Sequence, residues 1–147
     1  MSLTKAPVIA SHSAIRALVD SPRNLNEEEL ELLKKNGGML GVVAFGNYLR
    51  TKPVVAAGQP VPPASVGQFV DSIVYAVNKL GIDHVGISTE FNHGGGIEGF
   101  QNEGEGPNVT AELLRRGYSE SDIAKLWGGN FLRVWGEAQR VGKTHKM

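Results

Sequence analysis

The chain has no cysteine in its 147 residues, which excludes disulfides and thiolate metal sites and leaves histidine and the carboxylates as its strong ligands. It has no excess charge either. Fifteen Lys and Arg stand against fifteen Asp and Glu, so there is no general electrostatic footprint for nucleic acid or an anionic membrane. No run of about 18 apolar residues is present to cross a bilayer, and Met1-Ser2-Leu3-Thr4-Lys5 lacks the apolar core of a secretory signal. The chain is therefore expected to be soluble, with its compartment open. What it does have is 41% hydrophobic residues against 20% charged, enough for one globular core.

Glycine is the plentiful residue. Nineteen glycines cluster at Gly37-Gly38, Gly94-Gly95-Gly96, Gly104 with Gly106, and Gly128-Gly129, between periodic segments, where they punctuate. The first segment is Val8-Ile9-Ala10, apolar on successive residues, which suits a strand of a parallel sheet buried on both faces. Ser11-His12-Ser13 breaks that run where the strand should emerge, and in parallel α/β folds functional residues gather at the carboxyl ends of strands. Ala14 to Val19 reads as a loop over the strand end. Asn26 followed by Glu27-Glu28-Glu29 predicts a capping box and a helix closing at Lys34-Lys35-Asn36-Gly37.

A second unbroken run, Met39 to Phe45, predicts a second buried strand with its polar exit at Gly46-Asn47-Tyr48. Four prolines between Arg50 and Pro63 read as a loop. Val66, Phe69, Val70, Ile73, Val74, Val77 and Leu80 then recur at helical spacing up to Gly81. Ile82 to Thr89 is the third expected strand, with Glu90-Phe91-Asn92-His93 at its exit and a glycine-rich loop to Pro107. Helices are expected over Thr110–Arg116, from Ser119 through Asp122, and from an N-cap at Asn130. The alternation predicts α/β architecture: parallel βαβ units with right-handed crossovers. Three strands are too few to close a barrel of about 250 residues.

His12, Asn47-Tyr48, Glu90 and His93 all fall where strands end. A histidine and a carboxylate on neighbouring strand ends could share a divalent metal or form an acid–base pair. A histidine in such a place is as often an ordinary hydrogen-bonded loop residue, and a tyrosine such as Tyr48 is commonly a packing residue. Gly94-Gly95-Gly96 offers backbone amides to an anion, but without a lysine or a following helix cap the signal is weak.

The segments Pro7-Val8-Ile9-Ala10-Ser11-His12-Ser13, Pro22-Arg23-Asn24-Leu25, Val85 to Asn92, Thr110 to Tyr118, and Gly129 to Val134 resemble the membrane (renal) dipeptidase family in order and spacing. The resemblance spans nearly the whole chain. It implies a zinc-dependent peptidase with an amidohydrolase-like β/α barrel and a binuclear metal site, of which this chain is similar to the C-terminal part, about three strands. Residue by residue, it makes His12 a zinc ligand, Arg23 the guanidinium that holds the dipeptide's terminal carboxylate, and Tyr48 and Asn92 substrate-side residues. Glu90 falls where the family carries an aspartate that passes a proton between water and the leaving amine, so the carboxylate is kept with one methylene more. The run Asn92 to Gly96 is similar to a bacterial dipeptidase-like branch.

The resemblance also implies that the family's remaining zinc ligands belong to strands preceding this stretch. One histidine cannot hold two zincs. Two expectations follow, a fragment of a metallodipeptidase or a non-catalytic dipeptidase-like piece that binds without turnover. In either case the open edges of the outer strands, or the helix face around Val66, Phe69, Val70 and Ile73, are expected to be covered by a second copy or by another segment of the same barrel.

Overall fold

Three apolar runs form three strands, and the chain's order becomes the sheet's order. In the computed structural model, which describes residues 4–49 and 63–144, β1 (Ile9–Ser13), β2 (Met39–Val43) and β3 (Val85–Ser88) lie parallel in the sequence β1-β2-β3. β2 is central, and all five of its residues are buried. β1 lies at an edge, where Ile9, Ala10 and His12 are part-buried and Ser11 is exposed, so its apolar run is not buried on both faces as expected. β3 is shorter than the apolar run suggested, because Ile82-Asp83-His84 coil into a 3-10 turn before it.

The helix α1 (Glu27–Lys35) begins with the expected capping box, the Glu29 amide bonding the Asn26 side chain and Asn26 N–H bonding the Glu29 carboxylate, both at 2.9 Å. After a short helix α2 (Gly46–Leu49), α3 (Val66–Leu80) starts from a second capping box, Ser65 with Gln68. The proline-rich stretch lies for the most part outside the described residues. Phe69, Val70, Ile73 and Ala76 of α3 are fully buried with Leu40, Val42 and Val85 of the sheet and Leu30 and Leu33 of α1. The α3 stripe is thus consumed inside this chain, which corrects the expectation that it could serve as an association face.

Beyond β3, helix α4 (Gly106–Arg115) starts earlier than the sequence spacing suggested, because Pro107 occupies the first turn, where its missing N–H costs nothing. Helix α5 (Glu120–Ala124) then runs through a π turn at Lys125–Gly129 into α6 (Asn130–Thr144) without a break. Gly128-Gly129 therefore do not end a helix. Asn130 is not an N-cap either: it has helical backbone angles and is 2% exposed, and its side-chain amide donates to Ile82 O at 2.6 Å and Val85 O at 2.7 Å. That pair of bonds pins α6 to the entry of β3. The sheet face opposite α3 borders a cavity of about 290 Å³ lined by Ile9, Met39, Gly41 and Gly86 with Leu126, Trp127 and Phe131.

Candidate active site

The parallel strands deliver three loops to one end of the sheet. After Ala10, which pairs with Leu40, β1 holds one residue more than β2 before Ser13 pairs with Val42. This bulge falls on Ser11-His12, and such an extra residue bends a strand and re-aims its side chains. His12 turns towards the carboxyl end of the sheet, where it lines a cavity of about 150 Å³ together with Arg23, Val43, Phe45, Tyr48, Glu90 and His93.

The loop after β1 is tied back to it. Ser13 Oγ donates to Arg23 O at 2.7 Å, and Leu25 N and Arg16 N close bonds to Ala14 O and Leu25 O. Asn24, 2% exposed, donates from Nδ2 to Val19 O at 2.9 Å and to Tyr48 O at 3.0 Å, so one buried amide fastens the Arg23 loop to the turn after β2. Tyr48 packs on Phe45 with ring centroids 4.9 Å apart, giving the cavity an aromatic wall. Sequence reasoning had passed over Asn24, although a buried amide between two loops is what joining them requires.

Arg23 Nη2 stands 3.5 Å from His12 Nε2, and Ser11 Oγ is 2.8 Å from His12 Nδ1. At 3.5 Å the Arg23 contact sits at the outer limit of a hydrogen bond, so it places the guanidinium beside Nε2 without fixing which ring nitrogen carries the proton. Glu90 follows β3 after Thr89, part-buried, and lines the same cavity as His12 from the other side of β2. Asn92 lies exposed in the 3-10 turn Phe91–His93 and is not among the lining residues, whereas its neighbour His93 is.

The triple glycine does not cradle an anion. Gly95 N donates to Glu90 O at 2.9 Å and Gly96 N to Ala44 O at 3.0 Å, so two of its three amides are spent inside the protein. Nor do the described residues complete a metal centre: no three of their His, Asp or Glu side chains are grouped closely enough to hold an ion. His12 Nε2 suits one coordination position, and a catalytic zinc takes about three protein ligands.

What the arrangement offers is a histidine, a carboxylate and a guanidinium around a small cavity with an apolar wall, at the functional end of a parallel sheet. A family model described as membrane dipeptidase, peptidase family M19, matches residues 1–147. The chain belongs to the membrane dipeptidase family. Among curated relatives, the dipeptidase ataJ of Aspergillus terreus is 40% identical over 144 residues, covering 96% of this chain and 33% of its own length. The dipeptidase aclJ of Aspergillus oryzae is 33% identical, over 97% of this chain and 32% of the relative. The crystal structure of the probable dipeptidase PvdM from Pseudomonas aeruginosa superposes with a TM-score of 0.88 at 42% identity, over 95% of this chain and 46% of that one. A metallo peptidase from Rhodobacter sphaeroides, solved with a phosphinate mimic of the dipeptide L-Ala-D-Ala, gives 0.80 at 26% identity, over 93% and 38%. The chain thus spans about a third of the length of the curated relatives it matches. Its three-stranded parallel sheet with flanking helices matches part of a barrel-type dipeptidase fold. No helix among the described residues is long and apolar enough to cross a membrane.

Proposed function

We propose that this chain, residues 1–147 as one partial barrel domain, is the C-terminal portion of a zinc-dependent dipeptidase. In this reading His12 gives one ligand to the metal, Arg23 grips the terminal carboxylate of a dipeptide, Tyr48 walls the substrate and Glu90 moves the proton. The observation that carries it is the convergence of His12 from β1, Arg23 from the loop after it, Tyr48 from α2 and Glu90 from the exit of β3 on one cavity at the carboxyl end of the sheet. The chemistry suits these groups. A guanidinium fork matches a carboxylate in two parallel hydrogen bonds, and a carboxylate can take a proton from water and return it to a leaving amine. A bound zinc supplies Lewis acidity towards the peptide carbonyl and lowers the pKa of water.

The cavity holds about 150 Å³, half of what the smallest ordinary ligand pockets offer at about 300 Å³. Its size, and His12 as the one imidazole this reading gives to the metal, both fit a site whose other walls and ligands come from further strands. The isolated chain is therefore expected to bind a dipeptide such as Gly-Leu through Arg23 and to leave it uncleaved with zinc present. Loss of binding in Arg23→Ala, followed by NMR titration, supports the reading; absence of binding by the wild-type chain, or turnover that disappears with His12→Ala, overturns it. The second reading, a dipeptidase-like piece that binds without turnover in any assembly, is favoured by Glu90 in place of aspartate. A shift of about 1 Å in a catalytic group can cost on the order of a hundredfold. Hydrolysis by an assembly that includes the missing strands separates the two.

A further inference from the structure

The glycine cluster after β3 and the histidine before it have no part in the mechanism above, yet the structure has built them with care. His93 N and Gly95 N both donate to the carbonyl of Glu90, at 3.1 and 2.9 Å, and Gly96 N donates to Ala44 O at the end of β2. Phe45 and Gly96 form a parallel bridge. Gly94 takes the left-handed conformation, φ 70°, and reverses the chain directly after His93. A loop so tied holds the His93 backbone at a fixed height over the cavity. Its ring lines that cavity and is open to solvent, as is Arg23 across from it on the β1 side. His12 and Glu90 sit deeper, part-buried.

We propose that His93 is a specificity-determining residue that touches substrate at the mouth of the cavity and, with Arg23, selects dipeptides that end in an acidic residue. The inference rests on the reading of Arg23 as the carboxylate anchor. The cavity is too small to enclose a whole dipeptide, so the side chain next to the anchored carboxylate meets the residues of the mouth. Those are a guanidinium, which only donates, and an imidazole, which in either protonation state has at least one N–H to give. A second carboxylate satisfies both. A lysine side chain there meets Arg23 as a like charge, and an aliphatic one leaves the imidazole N–H without a partner from the substrate.

The test compares Gly-Asp with Gly-Leu, whose side chains share a branched shape and differ in charge, by NMR titration of the intact 147-residue chain. Gly-Asp is expected to bind roughly tenfold more tightly, the lower end of what one hydrogen bond to a charged group contributes. His93→Ala should bring that ratio close to one, chiefly through weaker binding of Gly-Asp, and His93→Gln, which keeps an N–H donor, should restore part of it. Arg23→Ala should lose both ligands. An unchanged ratio in His93→Ala overturns the role of His93 and leaves the Arg23 reading standing, whereas failure of the wild-type chain to bind either dipeptide overturns both. The His93 ring is exposed, so the variants are expected to fold, and a wild-type amide spectrum away from the loop checks that they have.

Discussion

Gly95 lies against Glu90 so closely that a β-carbon at Gly95 would come within 2.3 Å of the Glu90 carbonyl oxygen and 2.9 Å of its β-carbon. The turn that follows β3 therefore closes only around a residue without a side chain. Gly95→Ala is expected to push the turn off Glu90 and to destabilise the protein by about 1–3 kcal/mol, the usual cost of overpacking a tight contact. Gly94→Ala meets nothing within 4 Å but inherits φ 70°, a strain of about 1–2 kcal/mol. Urea unfolding measures both, and NMR separates them, since only Gly95→Ala should shift Glu90 and His93 together. A Gly95→Ala protein with wild-type stability and spectrum would show that the turn does not hold these residues.

The helical stripe of α3, the Asn26 cap and the three strands follow from local patterns, and those were legible in the sequence. What was not legible depends on contacts far apart in the chain. The bulge that turns His12 arises from the register of β1 against β2, and periodicity within β1 carries no trace of it. His93 could be named as a strand-exit residue, but its place in the cavity over its neighbour Asn92 is set by the fold-back of Gly95 onto Glu90. Asn130 looked like a cap because asparagine before an apolar run usually is one; its partners are Ile82 O and Val85 O, 48 and 45 residues away. The early start of α4 did have a signal, Pro107 beside Gly106, which reads as well as a helix opening as it does as a loop.

Asn130 supplies the next prediction. Asn130→Ala leaves the carbonyls of Ile82 and Val85 without their donor at a position that is 2% exposed, and an unpaired buried polar group costs about 1–3 kcal/mol. Asn130→Asp, nearly the same shape, sets a carboxylate against two carbonyl oxygens and is expected to destabilise more than alanine does at neutral pH. Urea midpoints in the reverse order, or neither variant moving, would show that these bonds do not anchor α6 to β3.

An acid limb is expected from Glu112. Its carboxylate accepts from Arg115 Nε and Nη2 at 2.7 and 2.6 Å and from Arg116 Nε at 2.8 Å, while Arg116 Nη2 also reaches Asp71 on α3 at 2.8 Å. Hydrogen bonds from Arg115, then from Arg116, hold its pKa down from the ordinary 4.5 to about 2. Because the folded value is the lower one, the network's contribution is complete above about 4.5 and is lost as pH falls towards about 2. Arg115 and Asp71 are exposed and Glu112 and Arg116 lie at the surface, so the effect on stability is small and weakens with salt. Carbon-detected titration of the Glu112 carboxyl should give a midpoint near 2 that rises in Arg115→Ala; a midpoint in the usual glutamate range would sink the argument.

The last prediction concerns the surfaces that the three-stranded sheet leaves open. β1 and β3 are the outer strands, each with one edge unpaired within the sheet, and natural sheets seldom leave such edges without a lysine, a proline or a cover. Neither Ile9–Ser13 nor Val85–Ser88 contains a lysine or a proline. Beside β1, Pro7 and Ile9 form a groove of about 380 Å³ with Phe131, Val134, Trp135 and Ala138 of α6, and Phe131 and Trp135 are 46% and 53% exposed. Large apolar side chains grouped on one surface favour association, and a net formal charge of zero offers little electrostatic opposition to it. The isolated chain is therefore expected to self-associate through this face, with light scattering showing a mass that rises with concentration in the micromolar range. Trp135→Glu should shift it towards monomer without loss of secondary structure, since the side chain it replaces is half exposed. A monodisperse monomer, with amides on the outer edges of β1 and β3 that exchange quickly, would show that the open sheet stands alone.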